Sequence, residues 1–395
     1  MTATAMLGDP RRQAFDQKVL AWMTEGSWEK DDARFDTLAC ELFEFQFAYC
    51  TGYGRFCEAL GKTPSSISNY RDIPAVPTSA FKEARLHSFD ADATIKVFRT
   101  SGTTTGSTGQ ARGSLYLDTL SLYEASLLPM IRRFVFPERD GDASEKPMTI
   151  RVLANPPEVA SDSSLSHMFG IALRELGDGD SGYENRDGAL DADPLITRLL
   201  QFSERAEEKG PVALCGTSFA FVHLLDALDA SPHRDKKLQL PRGSRVMETG
   251  GFKGRSREVP RDELYDAIEN RLGVARSHIV NQYGMAELGS QFYDSQLYES
   301  IRGGTAGPRR KLGPPWARVR FIDPETGEDV ASGQTGMIVV HDLANTGSVA
   351  ALQTEDLGRR TGIEDDGFEV LGRASGAEAR GCSIAADASW LKAMR

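Results

Sequence analysis

Residues Ser101 to Gly109 hold almost nothing but glycine, serine and threonine, and they follow the run Ile95 to Phe98, which reads as a strand. Backbone N–H groups in a glycine-rich turn form a concave anion nest, and serine and threonine hydroxyls add donors, so this tract has the chemistry to cradle phosphate. The same composition also describes a slack loop. It is not a Walker A loop, because Ser107 stands where that pattern carries its lysine. A second glycine tract, Gly177 to Gly182, spells GxGxxG but follows a helix and carries two aspartates that would repel a pyrophosphate. As a calcium loop it fails at Gly182, a ligand position, and at Tyr183, where glycine is required. Gly216-Thr217-Ser218-Phe219-Ala220 lies between a strand and a helix, as a nucleophile elbow does. Its last position is alanine rather than glycine, and Ser218 would need His278 or His341 as its base.

The five cysteines (Cys40, Cys50, Cys57, Cys215 and Cys382) are odd in number and include no CxxC pair, which argues against a disulfide framework and a zinc knuckle. The six histidines show no HExxH spacing. A net charge of −11 argues against a nucleic-acid surface, and the densest basic run, Arg309 to Lys311, reads as a solvated loop between Gly and Pro. The start of the chain lacks an apolar signal region, and no run approaches a membrane span. A cytoplasmic enzyme or binding protein is expected, and 395 residues suffice for one large domain or two ordinary ones.

These residues must be positioned by the surrounding elements. Residues 11 to 60 are helical in pattern, with Phe35, Leu38, Leu42, Phe45 and Tyr49 forming an aromatic and aliphatic stripe for the core, and Cys40, Cys50 and Cys57 in the same region. After the prolines 64, 74 and 77, strands and helices alternate. Strands are predicted at 94–98, 148–153, 211–215, 245–247 and 278–281, and helices at 119–136, 164–176 and 219–228. A further helix opens at Pro260, buries Leu264, Ile268 and Leu272, and closes at Gly273. Beyond residue 314 hairpins take over, around the turn Asp323 to Gly327. Such a series implies an α/β fold with parallel or mixed sheets covered by helices, followed by a small β-rich part.

Four segments occur in the order found in the adenylate-forming superfamily. Ser101 to Gly109 resembles its phosphate loop, and Gln282-Tyr283-Gly284-Met285-Ala286-Glu287 its YGxTE signature, with alanine for threonine. Gln353-Thr354-Glu355-Asp356 resembles its ribose motif, with glutamate for glycine, and Leu371-Gly372-Arg373 its hinge-proximal GR motif. Acyl-protein synthetases of the LuxE type are a nearer resemblance. It rests on Val76 to Lys82, Ser163 to Met168, Thr249 to Gly254, Gln282 to Asp294 and Gly376 to Ser383, and covers the chain from about residue 30.

The resemblance implies an adenylate-forming core over 1–360 and a short C-terminal segment, 361–395, that carries an acyl-acceptor cysteine, Cys382. The full C-terminal domain of the larger enzymes, with its catalytic lysine, is expected to be lacking. It implies ATP and Mg²⁺ as cofactors, a carboxylic acid as substrate, and a reductase partner of the LuxC type. Ser101, Gly102, Thr103, Thr104, Thr105 and Gly106 would meet the phosphates, with Lys253 as a further phosphate contact. Glu287 would serve the metal, Gly250 and Gly251 would lie beside adenine, and Tyr283, Gly284 and Met285 would lie on or near its face. Asp356 would accept from ribose, Arg373 would sit near ribose or phosphate, and His167 would border the acyl group. Lys82 is a second stand-in for the missing lysine. The rival readings are an acyl-CoA ligase using the same adenylate chemistry, a serine esterase built on Ser218, and a non-catalytic subunit of a reductase complex.

Overall fold

The computed structural model describes residues 9–100, 112–140, 147–250, 259–302, 306–362, 366–374, 390 and 393. Its N-terminal region is helical: α1 (Pro10–Thr24), α2 (Asp32–Tyr49) and α3 (Thr51–Ala59). Asp9 and Asp31 cap the first two, each accepting a hydrogen bond from a first-turn N–H that has no partner within its helix. Phe35, Leu38 and Leu42 are buried as the periodicity predicts. Phe45 and Tyr49 are not: they stack on each other at 4.7 Å at the surface, and the Arg11 guanidinium lies 4.9 Å from the Tyr49 ring. The buried face instead turns through Phe43 and Gln46.

β1 (Val76–Pro77) leads into the short α4 (Ala80–Glu83), and β2 (Lys96–Arg99) pairs antiparallel with β3 (Ser114–Leu117). There follow α5 (Ser121–Val135), β4 (Thr149–Leu153), α6 (Ser164–Leu176) and β5 (Gly182–Tyr183). The hairpin of β6 (Asn185–Arg186) and β7 (Ala189–Leu190) precedes α7 (Ala192–Glu204), α8 (Ala206–Lys209), β8 (Val212–Thr217) and α9 (Ser218–Ala230). Then come β9 (Arg245–Thr249), α10 (Arg261–Leu272) and β10 (Ile279–Tyr283). Gly273 ends α10 in the left-handed conformation, the C-terminal signal read from sequence. The chain continues through β11 (Phe292–Asp294), α11 (Gln296–Ile301), β12 (Lys311–Leu312), β13 (Ala317–Ile322), β14 (Gly336–Asp342), β15 (Ala351–Thr361) and β16 (Gly367–Arg373).

Among the described residues one large mixed sheet runs β13-β14-β15-β16-β12-β11-β10-β9-β8-β4-β5, with β1 added beside β15. From β10 to β5 every pairing is parallel; from β10 through β11 to β13 every pairing is antiparallel. The parallel strands β4 and β9 are buried throughout, which is why they read as continuous rather than alternating. β16 pairs with β15 and β12, so the boundary drawn at residue 360 falls at the end of β15 with sheet on both sides.

The basic run at 309–311 is not a solvated loop. Lys311 pairs with the buried Asp294 at 2.8 Å, Arg309 reaches the same carboxylate at 2.6 Å, and Arg310 binds Glu299 and Asp366 at 2.8 and 2.5 Å. Buried cations persist because each meets an anion, and two of those partners come from strand and helix neighbours that local composition does not reveal.

Candidate active site

In an open sheet with parallel strands, ligands bind beyond the carboxyl ends. Here the ends of β9 and β10 carry Gly250 and Tyr283 side by side, since Thr249 pairs with Gln282 in the parallel ladder. Gly250 has φ +75, a conformation that L side chains rarely adopt, and a β-carbon built on it would meet nothing within 4 Å among the described residues. Glycine is therefore favoured there by the backbone.

Tyr283 packs its ring against Phe292 at 6.2 Å and edge-on to Phe368 at 6.1 Å, and donates its phenol proton to Asp356 Oδ2 at 2.9 Å. Burial, followed by the Asp356 carboxylate, pushes the phenol well above its ordinary range, so it remains a neutral donor. Asp356 itself is set by Thr354, whose hydroxyl accepts from the Asp356 N–H at 3.1 Å and donates to the Ile338 carbonyl at 3.0 Å. Across the β15–β16 ladder Asp356 faces Arg373, and the Arg373 guanidinium lies 3.5 Å from Glu355, the glutamate that departs from the ribose motif. Met285 packs against the main core, and the turn after it closes through the Leu288 N–H to the Met285 carbonyl at 3.2 Å.

Glu287 is buried, and its backbone carbonyl is held by the Asn345 amide at 2.9 Å. Its carboxyl points at the neck of the β2–β3 hairpin. A β-carbon on Gly113 would lie 3.3 Å from Glu287 Oε1 and 3.1 Å from Thr100 Cγ2, so glycine is what lets the carboxyl reach this neck. The neck is cinched from several sides. Thr100 N–H donates to the Gly113 carbonyl at 2.9 Å, Gly113 N–H donates to the Thr100 hydroxyl at 3.0 Å, and Arg112 bridges the Thr100 carbonyl at 2.6 Å to Asp162 at 2.8 Å. The segment that this neck closes, including Ser101, Gly102, Thr103, Thr104, Thr105 and Gly106, lies outside the described residues, as do Gly251, Lys253 and Cys382.

His167 stands behind the hairpin, bonded through Nε2 to Glu124 at 2.9 Å and packed on Phe98 and Tyr123. Burial holds it below the usual histidine range. Lys82 is exposed on α4, while Thr78, just before that helix, donates its N–H to the Gln353 carbonyl at 3.0 Å and so ties β1 to the Gln353 to Asp356 motif. Ser218, the esterase candidate, is buried with its hydroxyl against the Glu248 carboxyl and the Gly250 carbonyl, and neither partner is a histidine base. Four thiols are described, and burial raises each: Cys50 to about 11, Cys57 and Cys215 to about 12, and the half-buried Cys40 by a smaller amount.

No group of three or more His, Cys, Asp and Glu set to hold a metal occurs among the described residues. Mg²⁺ does not need one, because it commonly takes one or two carboxylates together with substrate phosphates and water. Glu287 beside the hairpin neck fits that sparse donor set. Sequence reasoning did not single out Thr100, Arg112, Gly113, Asp162 or Glu248. An Arg-Gly pair just beyond the glycine-rich tract was the available signal for two of them; the others become visible only through contacts made far along the chain.

Residues 184–390 match the acyl-protein synthetase LuxE family. The chain is 23% identical over 338 residues to the long-chain-fatty-acid–luciferin-component ligase of Aliivibrio fischeri, covering 85% of this chain and 81% of the relative. It is 21% identical over 318 residues to the ligase of the same name from Vibrio harveyi, covering 80% and 76%. Its fold resembles that of a 2-hydroxyisobutyryl-CoA ligase solved with 2-HIB-AMP, with TM-score 0.59 and 16% identity over 86% of this chain and 68% of that one. The same ligase in an open conformation, with 2-HIB-AMP and CoA, also gives 0.59 at 16% identity, covering 89% and 77%. The expected α/β architecture is that of the large domain of adenylate-forming ligases.

Proposed function

Because the chain belongs to the acyl-protein synthetase (LuxE) family, we propose that it activates a fatty acid with ATP and then carries the acyl group on Cys382 as a thioester, for delivery to an acyl-reductase partner of the LuxC type. The observation that carries this reading is the convergence of Gly250, Tyr283, Asp356 and Arg373 beside Glu287 and the Thr100–Gly113 neck.

In the first half-reaction a carboxylate oxygen attacks the α-phosphorus of ATP, the acyl–phosphate bond forms, and pyrophosphate leaves. Two anions must approach each other, so donors and positive charge at the phosphates govern the rate. The tract from Ser101 to Gly106 supplies N–H and hydroxyl donors, and Lys253 adds a cation. Mg²⁺, held by Glu287 and the phosphates, supplies charge neutralisation when bound. Gly250 leaves room at the adenine edge, Tyr283 offers an aromatic wall, and Asp356, already oriented by the Tyr283 phenol, accepts from ribose hydroxyls.

In the second half-reaction the Cys382 thiolate attacks the acyl carbonyl. The C–S bond forms, the C–O bond to phosphate breaks, and AMP leaves with the electron pair. Burial keeps Cys50, Cys57 and Cys215 protonated at neutral pH, which supports assigning this step to Cys382. The esterase reading loses ground because the Ser218 hydroxyl is engaged by Glu248 and Gly250.

The test is ATP–pyrophosphate exchange across short, long and aromatic acids. Exchange that depends on a fatty acid is expected; none with any acid would overturn the reading.

A further inference from the structure

Beneath Gly250 lies a buried polar chain that the proposed reaction does not use. Ser218, at the start of α9, places its Oγ against two oxygens at once: Glu248 Oε2, and the Gly250 carbonyl at 2.8 Å. A hydroxyl has one proton to give. If Ser218 gives it to Glu248, the Gly250 carbonyl loses this donor. If Ser218 gives it to Gly250, then Oε2 must itself carry a proton and donate to Oγ. The other carboxyl oxygen, Oε1, already accepts from the Tyr265 phenol at 2.8 Å and from the Asn281 amide at 2.5 Å. Among the described residues, the second arrangement gives each of these groups a partner: Oε1 accepts twice, Oε2–H donates to Ser218, and Ser218 donates to Gly250.

The surroundings favour the same state. Ser218, Glu248 and Tyr265 are 5%, 2% and 1% exposed, and a carboxylate so buried is costly without a cation against it. Among the described residues no cation forms an ion pair with Glu248, although the nearby Lys311 charge opposes the rise that burial causes. Lys311, on β12, spends its donors on the Asn281 carbonyl at 2.7 Å, the Asn281 side chain and Asp294 at 2.8 Å. Arg309 also pairs with Asp294, on β11. The groups that touch the Glu248 carboxyl come from α9, α10 and β10, and all three are neutral hydroxyl or amide groups.

We propose that Glu248 is a neutral carboxylic acid that acts through Ser218 to fix the Gly250 carbonyl, and with it the left-handed turn that forms the adenine edge. It is a positioning residue, and its role rests on the reading that Gly250 borders the nucleotide. Burial raises the Glu248 carboxyl above the usual range, in agreement with this state. The chain spans two strand ends and a helix start, so the nucleotide edge is set by side chains that never touch the ligand.

Glutamine reproduces the neutral acid: its oxygen accepts from Tyr265 and Asn281, and its amide donates to Ser218. In the full-length protein Ser218→Ala and Glu248→Leu should each raise the ATP KM roughly tenfold, the scale of leaving a buried polar group unsatisfied. Glu248→Gln should keep it within about twofold of wild type, because the Ser218 hydroxyl can accept from the amide and still donate to the Gly250 carbonyl. The infrared spectrum at neutral pH should contain a protonated-carboxyl band that Glu248→Gln removes. Impairment in Glu248→Gln equal to that in Glu248→Leu, or no such band, would overturn the proposal. Absence of any pyrophosphate exchange in the wild type would instead defeat the adenylation reading, and the infrared band would still decide the protonation state.

Discussion

The Tyr283 phenol donates a 2.9 Å hydrogen bond to Asp356 across 73 residues of sequence. It joins the last residue of β10 to the middle of β15, so the aromatic wall and the ribose acceptor form one unit. A carboxylate oriented in advance loses less freedom when it accepts from a diol.

That link makes Asp356 a discriminator between ribose and deoxyribose. Asp356→Asn keeps the shape but halves the acceptor capacity. The ATP KM should rise about tenfold, on the scale of a hydrogen bond to a charged group. The preference for ATP over 2′-deoxy-ATP should shrink with it. An unchanged preference in a folded variant would remove Asp356 from the ribose site.

Glu287→Gln retains size and hydrogen bonding while removing the charge beside the hairpin neck. Pyrophosphate exchange should fall by at least about a hundredfold, the scale of losing one electrostatic element of an active site. Thermal unfolding should move little by comparison. An unaltered exchange rate would sink the metal assignment.

Gly113→Ala tests the close approach between Glu287 and the neck. The added carbon would lie 3.1 Å from Thr100 Cγ2 and 3.3 Å from Glu287 Oε1, so one of them must shift. A stability loss of about 1 kcal/mol is expected from this overpacking. A larger proportional loss in exchange rate should accompany it. Full activity would mean that the Glu287 position at the neck is irrelevant to catalysis.

The thiols give a pH test with a definite sign. Burial raises Cys215 and Cys57 to about 12 and Cys50 to about 11, so their reactive thiolate is scarce well below those values. In the native protein at pH 8, alkylation mapped by peptide mass spectrometry should spare all three, and denaturant should expose them. Rapid native labelling of Cys215 would return it to consideration as the acyl acceptor.

Much of the parallel half of the fold was legible before any coordinates. Helix α6 spans Ser164–Leu176 as its periodicity indicated, and α10 runs between its Pro260 and Gly273 signals. The antiparallel centre was not. β11 and β12 have only three and two residues, too few for a period to register, and Lys311 looked like a loop cation because its partner Asp294 lies on another strand. At the site, Tyr283, Glu287 and Asp356 could be read because they sit in compact motifs. Glu248 could not, since its partners Ser218, Tyr265 and Asn281 are gathered by folding from three separate elements.

The most direct measurement is the intact mass of the protein after incubation with a fatty acid, ATP and Mg²⁺. Wild type should gain one acyl increment that requires both acid and ATP and is released by neutral hydroxylamine, as a thioester is. Cys382→Ser should still catalyse pyrophosphate exchange yet gain no increment, because a serine hydroxyl is far less ionised than a thiol at neutral pH. A hydroxylamine-labile adduct of full stoichiometry on Cys382→Ser would contradict the assignment and place the acyl group on another thiol.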